Sequence, residues 1–344
     1  MAVGFPLAET RYRDAAWLRI RLETYLAENL GRDVSVHDFR RISNGFSWIT
    51  WTFALVDAHD TSRRDLVFRI GPPDGLQAPY SAKREASMLR LLDSSDVPVP
   101  DILFSSDDTT LFGAPFIVCE RMCGTALTPW TIKRDDADTQ ALAPIARQFI
   151  HLLTAIHRTP WVGTKAAEQV GSVDAQTVAI DQLCYWEHRY RKVQMECLPI
   201  LEWALHELKD HAPVAPKVVL LHGDYRIGNF LTQAGNITAV LDWEMCHFGD
   251  PHEDLAWALY PPFGLPTLMT AQDVYAQYSA DTGIAVSEQS LAYYAAFNLL
   301  KMTVINLTGL HSFANGSDDT RLAVLGFLTA SHLAQLQKAI GEVS

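Results

Sequence analysis

The sequence predicts an α+β fold of two unequal lobes, a small β-rich N-lobe followed by a large helical C-lobe. Three observations predict it. Short runs rich in aromatic and β-branched residues, bounded by turn residues, fill the first 120 positions. Long stretches with apolar residues at helical spacing fill most of the remaining chain. At 344 residues the chain exceeds the roughly 150 of a typical domain, which suggests two domains or one large two-lobed one.

In chain order, Arg13 to Leu30 reads as a helix closed by Gly31. Strand-like runs follow over 39–42, 48–56 and 66–70, the last ending at Gly71-Pro72-Pro73. A helix is expected over 82–92. On it Glu85 precedes Met88, Leu89 and Leu92 by three, four and seven positions, so it shares their face. A carboxylate on that stripe needs a partner, unless it lies at the margin and reaches water. Val97-Pro98-Val99-Pro100 breaks the chain, and Pro115–Glu120 reads as a further strand. Beyond Gly124 the expected helices cover 141–157, 182–211, 271–280, 291–310 and 320–340, with one β-like region at 217–243. The change of character near 120–126 marks the join.

Composition excludes several classes. With 28 basic and 40 acidic residues the net charge is −12, a poor balance for sequence-independent DNA binding. No apolar run approaches the length of a membrane span, and the N-terminus has no basic-then-apolar pattern, so neither membrane insertion nor a signal peptide is expected. Five scattered cysteines suit a reducing, cytoplasmic setting, and none is arranged at zinc spacing.

The chemistry concentrates in Leu220–Leu231, which contains His222-Gly223-Asp224-Tyr225-Arg226-Ile227-Gly228-Asn229, and in the strand that delivers Asp242-Trp243-Glu244. Asp224 and Asn229 lie five apart in a loop. Asp242 stands at the end of an apolar strand returning beside it. Two carboxylates and an amide oxygen form an all-oxygen set. Mg2+ prefers such a set and takes phosphate oxygens and water as its remaining ligands.

His-x-Asp with Asn five beyond the Asp resembles the catalytic loop of protein kinases. With Gly223 in place of the Arg, with Asp242-Trp243-Glu244, and with Gly249-Asp250-Pro251-His252-Glu253-Asp254-Leu255-Ala256, the chain resembles the aminoglycoside phosphotransferase and choline kinase superfamily. It is most similar to the kinase-like domain linked to acyl-CoA dehydrogenases, where Arg and Gly occupy the positions of Arg226 and Gly228. The resemblance is specific from about 217 to 257 and implies a protein-kinase-like bilobal fold. Its lobes would be a nucleotide-binding lobe over 1–119, a hinge over 120–124 and a helical lobe over 125–344 that carries the catalytic loop and acceptor site. By resemblance, Asp224 takes the acceptor's proton and Arg226 touches the transferred phosphoryl group. Asn229 and Asp242 hold Mg2+, Glu244 is either a second-hand metal contact through water or structural, and Asp250 and Asp254 brace the loop.

The same resemblance places ATP on the β-rich lobe. Ser43, Gly45 and Ser47 occupy the phosphate-covering turn. The strand lysine of the family is replaced by Arg69, which would meet the phosphates and pair with Glu85, sixteen residues on; Lys83 is the rival cation. Glu120 and Met122 fall at the hinge that hydrogen-bonds adenine, and Ile49, Phe68 and Leu231 are candidates to sandwich the base. The implied function is ATP- and Mg2+-dependent transfer of the γ-phosphoryl group to a small-molecule hydroxyl, such as that of a hydroxyacyl-type metabolite. An aminoglycoside acceptor is the alternative, and a nucleotide-binding pseudokinase is a second. Residues 255–344 carry only 6 acids and 3 bases among many aromatics, which leans toward a partly apolar acceptor. Oligomeric state is left open.

Overall fold

A computed structural model describes residues 11–42, 45, 47–60, 62–132, 136–317 and 319–343. The chain divides into two compact units. The first comprises the described residues up to Arg90 together with Pro100–Met122; the second comprises Leu91–Val99 and the chain from Cys123 onward.

The first unit begins with α1 (Ala15–Leu30), whose N-cap Asp14 accepts hydrogen bonds from the N–H groups of Ala16 and Trp17. Strands β1 (Val34–Ile42), β2 (Ile49–Asp57) and β3 (Arg63–Ile70) form a meander. Helix α2 (Ala82–Leu89), capped by Ser81, runs into a 3-10 turn over Arg90–Leu92. Then come β4 (Ile102–Ser106), the single turn α3 (Thr109–Phe112) and β5 (Phe116–Glu120). The sheet order is β1-β2-β3-β5-β4, antiparallel throughout.

Alternation sorts β3 between two faces. Leu66, Phe68 and Ile70 join Leu18, Leu22 and Leu26 of α1 and Phe112, Phe116 and Val118 in one core. Each of those three α1 leucines is fully buried, a contribution of about 1.5–3 kcal/mol apiece. Val67 lies on the opposite face, with Trp48, Ala82, Ile117 and Cys119. Arg69 has the parity of Val67 and so faces the α2 side. Strand β4 was not expected from sequence. All five of its residues are half-buried, so no alternation marks it.

The second unit contains the short β6 (Thr125–Ala126) and then helices α4 (Asp136–Arg158), α5 (Lys165–Val170), α6 (Val178–Val193) and α7 (Pro199–Asp210). The single helix expected over 182–211 is therefore two. Pro199 supplies no N–H and is accommodated as the first residue of α7, after Gln194 ends α6 in an extended conformation. Strands β7 (Val219–Leu221), β8 (Phe230–Gln233), β9 (Asn236–Val240) and β10 (His247–Gly249) follow. They form a β10–β7 pair and a β6-β8-β9 sheet. The remainder is α8 (His252–Ala258), the single turn α9 (Leu265–Leu268), α10 (Ala271–Thr282), α11 (Glu288–Ala314) and α12 (Thr320–Ile340). Helix α11 is buried on most of its circumference and packs with Leu183, Trp186 and Tyr190 of α6, Leu201 and Leu205 of α7 and Leu336 of α12. A helix apolar all round belongs in the middle of a core. Among the described residues no helix is long and apolar enough to cross a membrane.

Candidate active site

In the second unit the loop between β7 and β8 carries the sequence motif, and its side chains converge on Asp224. Asp224 Oδ1 accepts from Arg226 Nε at 2.9 Å and from the indole Nε1 of Trp257 at 2.7 Å. Asp224 Oδ2 accepts from Asn229 Nδ2 at 2.5 Å, and the same amide nitrogen donates to the Asp224 carbonyl at 2.9 Å. Those two bonds fix which way the amide points and leave Asn229 Oδ1 as its remaining acceptor. Asp242 lies two residues beyond β9, capping the 3-10 turn Trp243–Met245, in the left-handed region at φ 69° and ψ 58°. Asp tolerates that conformation better than most residues, and strain of this kind concentrates at functional sites. Asp242 lies close enough to act electrostatically on both Arg226 and His222.

Arg226 is held by carboxylates. Burial alone would lower its pKa, yet Asp224 and Asp242 beside it raise the value above that of an ordinary arginine. Its guanidinium lies 5.4 Å from the centre of the Phe263 ring. Gly228 has φ +116°, and a Cβ there would sit 2.7 Å from Arg226 Nη1. Only glycine both adopts that backbone and leaves room for the guanidinium. Gly223 is required more strictly. Its φ is +81°, and a Cβ would lie 2.3 Å from the Met245 carbonyl oxygen. The larger Arg of the protein-kinase pattern has no space at this position.

The loop backbone is pinned from below. The Asp224 N–H donates to His222 Nδ1 at 3.2 Å, and His222 Nε2 donates to the Leu241 carbonyl at 2.9 Å. This assigns the proton to Nε2 of a neutral ring. Burial drives the His222 pKa down, outweighing Asp254, Asp224 and Asp242. Asp254, in the first turn of α8, accepts from the N–H groups of His222 (2.8 Å) and Gly223 (2.9 Å) and from His157 Nε2 (3.3 Å). Burial opposes its charge, but these donors hold its pKa at about 2. Asp254 thus braces the loop, as expected from the sequence. Tyr225 donates to the Phe149 carbonyl at 2.7 Å and ties the loop to α4.

Lys301 of α11 was not foreseen. It is 1% exposed. It donates to the Gly223 carbonyl at 2.6 Å and to Glu253 Oε1 at 3.0 Å. His247 Nε2 meets Glu253 Oε2 at 3.2 Å. Burial works against the Glu253 charge, and Lys301 and His247 hold its pKa below the usual range. Trp257 was missed as well. The available signal was its position three after Asp254, on the same face of α8.

In the first unit Arg69 and Glu85 form an ion pair through Nη1 and Oε1. Glu85 is 4% exposed and the Arg69 side chain 17%. The guanidinium also lies 4.9 Å from the centre of the Trp48 ring. Glu85 therefore turns inward to Arg69 rather than outward to water, and Lys83 is not its partner. Cys119 lies beside this pair, and burial pushes its thiol up to about 12. Ser47 Oγ meets the Tyr80 hydroxyl at 2.5 Å, and Tyr80 packs on Trp48 at 4.8 Å. Gly45 is exposed; Ser43 lies outside the described residues. Phe68 is fully buried on the α1 side. It lies across the sheet from Arg69, whose face carries Val67 and Ile117. Glu120 ends β5, exposed, with its N–H bonded to the Asp101 carbonyl. Met122 is half-buried, and among the described residues its backbone groups have no hydrogen-bond partner. Leu231, in the second unit, is half-buried in β8 opposite Ala126 and Ala239.

Residues 38–288 match the model of the phosphotransferase enzyme family. Among curated proteins, acyl-CoA dehydrogenase family member 10 of Mus musculus is 26% identical over 88% of this chain. Acyl-CoA dehydrogenase family member 11 of Homo sapiens is 26% identical over 66% of it. The chain spans only 30% and 29% of the lengths of these two relatives. Among solved structures, a Ralstonia eutropha protein assigned to the aminoglycoside phosphotransferases aligns with TM-score 0.69 at 18% identity, covering 94% of this chain and 98% of the other. A thermostable mutant of the aminoglycoside phosphotransferase APH(4)-Ia, in ternary complex with AMP-PNP and hygromycin B, aligns with TM-score 0.59 at 19% identity, covering 92% and 98%. The macrolide 2'-phosphotransferase MphH of Brachybacterium faecium aligns with TM-score 0.53 at 22% identity, covering 88% and 96%. At these identities the structural likeness shows the shared kinase-like fold.

Proposed function

The chain belongs to the phosphotransferase enzyme family, and on that premise we propose that it transfers the γ-phosphoryl group of ATP to a hydroxyl of a small molecule, with Mg2+ as cofactor. The observation that carries this reading is the convergence of Arg226, Asn229 and Trp257 on the Asp224 carboxylate.

Asp224 is the base. It accepts the acceptor hydroxyl's proton as the new oxygen–phosphorus bond forms and the bond from the γ-phosphorus to the β,γ-bridging oxygen breaks, releasing ADP. Arg226 has an Nη2 with no partner among the described residues and presents its guanidinium to the transferring group, where developing charge is greatest. Asn229 Oδ1 and the Asp242 carboxylate suit Mg2+, a hard ion that keeps most of its shell for water and phosphate. When bound there, Mg2+ supplies neutralisation of the nucleotide's phosphate charge. Arg69, steadied by Glu85, is the proposed contact for the nucleotide phosphates. Ser43, Gly45 and Ser47 are proposed to cover them, Glu120 and Met122 to meet the adenine through backbone groups, and Leu231 to pack on the base. AMP-PNP in the APH(4)-Ia complex supports ATP as donor.

We assign the acceptor as a hydroxyacyl-type metabolite, in a cytoplasmic setting. Two curated relatives are acyl-CoA dehydrogenase family members, and residues 255–344 are sparse in carboxylates. An aminoglycoside site would want dense negative charge, although hygromycin B in a structural neighbour keeps that acceptor in the test. The protein, incubated with Mg·ATP and separate panels of hydroxyacyl compounds and aminoglycosides, is assayed by mass spectrometry for products heavier by about 80 Da. Product from the hydroxyacyl panel supports the assignment. Product confined to aminoglycosides replaces the acceptor class. ATP bound with no turnover on any acceptor means a nucleotide-binding pseudokinase.

A further inference from the structure

We propose that Trp257 is a positioning residue for the phosphotransfer reaction. Its indole N–H and Arg226 Nε together occupy Asp224 Oδ1, which leaves Oδ2 as the oxygen that receives the acceptor's proton. The inference rests on the phosphotransfer reading above and adds to it the oxygen that acts and the residue that selects it.

A carboxylate oxygen has room for about two hydrogen bonds. Oδ1 has both, from Arg226 Nε at 2.9 Å and Trp257 Nε1 at 2.7 Å. Oδ2 has one, from Asn229 Nδ2 at 2.5 Å. Three donors from three directions hold the carboxylate plane, and the remaining site on Oδ2 is fixed in space. Without the indole, Arg226 and Asn229 would still hold one bond each, and the carboxylate could turn between them.

Trp257 is itself immobilised. The ring is 3% exposed, with Lys301 Nζ 4.4 Å from a ring centroid on one side and Phe263 packed against it at 5.2 Å. Lys301 also donates to the Gly223 carbonyl, one residue before Asp224. The same ammonium therefore locates both the donor and the backbone of the acceptor it serves. Asp254, three residues before Trp257, holds the N–H groups of His222 and Gly223. One face of α8 thus grips the loop's backbone with a carboxylate and its reactive side chain with an indole. The competing account is that Asp224 merely satisfies a buried indole N–H, as buried tryptophans require. That account predicts lost stability but no loss of turnover per folded molecule.

The probe is Mg·ATP with water as the acceptor, read as phosphate release by parent, D224A, W257F and W257H. Phe keeps a ring over Lys301 and removes the N–H. His places Nε2 where the indole nitrogen was and restores a donor. We expect W257F to lower kcat about 10- to 100-fold, the effect of one hydrogen bond to a charged group. Its KM for ATP stays within about twofold, since no nucleotide contact changes. W257H recovers most of the loss. In parallel, the Trp257 indole resonance of 15N-labelled protein, identified by its absence in W257F, shifts in D224N while the other indoles hold still. A parent faster than D224A, with W257F equal to the parent or W257H no better than W257F, overturns the role of Trp257 alone. An indole resonance indifferent to D224N overturns the contact. A parent no faster than D224A, with the indole still responding to D224N, refutes the phosphotransfer reading and the role with it, and leaves the contact standing.

Discussion

Asp254→Asn measures how firmly α8 holds the catalytic loop. The native carboxylate is fully buried and takes the N–H groups of His222 and Gly223 on separate oxygens, 2.8 and 2.9 Å away, with His157 at 3.3 Å. Asn offers one acceptor oxygen and one NH2 group. Whichever way it turns, a backbone N–H faces another donor. The change removes one charge-assisted hydrogen bond, about 1.5–3 kcal/mol, and leaves a buried donor unsatisfied, about 1–3 kcal/mol. The expected loss is about 3–5 kcal/mol, and a unit of this size melts about 2–4 °C lower for each kcal/mol. Thermal unfolding near pH 7 should therefore show the second unit falling by roughly 6–20 °C. The pH dependence gives a second reading of the same bond. The Asp254 pKa is held at about 2 against an ordinary 3.8. A depressed carboxyl pKa contributes its stability in full above the ordinary value and loses it as pH falls through the folded value. The gap is worth roughly 2.5 kcal/mol. The parent should lose that advantage over the variant between about pH 4 and pH 2. A variant melting within about 2 °C of the parent, or a difference unchanged over that pH range, would refute the bracing role.

Other perturbations probe other parts. Glu85→Ala removes the carboxylate that pairs with Arg69 in a mostly buried setting and should destabilise the first unit by about 3–5 kcal/mol, seen by urea unfolding, together with weaker ATP binding by calorimetry. Gly228→Ala places a methyl 2.7 Å from Arg226 Nη1 on a backbone at φ +116°. It should cut phosphotransfer about 10- to 100-fold by displacing the guanidinium, and near-parental rates would count against Arg226. Cys123, Cys184 and Cys197 are exposed whereas Cys119 and Cys246 are buried, and burial pushes Cys119 up to about 12. A thiol reagent should modify those three in the native protein and all five only after unfolding.

Much of the site was legible because its residues sit in one loop and one strand end, where spacing alone brings Asp224, Asn229 and Asp242 to the same neighbourhood. The Arg69–Glu85 pair was legible for a different reason. A buried charge on each of two elements demands a partner, and each supplied the other. Phe68 was misplaced because hydrophobicity was weighed without strand parity, which puts it across the sheet from Arg69. Trp257 left only its spacing from Asp254 on α8 as a trace, and Lys301 left none. Lys301 bonds a carbonyl 78 residues away, and its own stretch reads as an unbroken apolar helix, in which a single lysine resembles a surface residue. The break between α6 and α7 was marked by Pro199, while helical spacing on both sides of it suggested continuity.

Asp224→Ala tests the central claim most directly. Phosphoryl transfer to the acceptor found in the hydroxyl screen is followed as the appearance of product about 80 Da heavier, with ATP binding measured on the same protein by calorimetry. Loss of at least about a thousandfold in turnover per folded molecule, with ATP affinity near that of the parent, is the predicted result, since proton transfer and the positioning that depends on this carboxylate fail together. Product formed by the Ala variant at a rate close to that of the parent would contradict the assignment of Asp224 as the base on which the site is built.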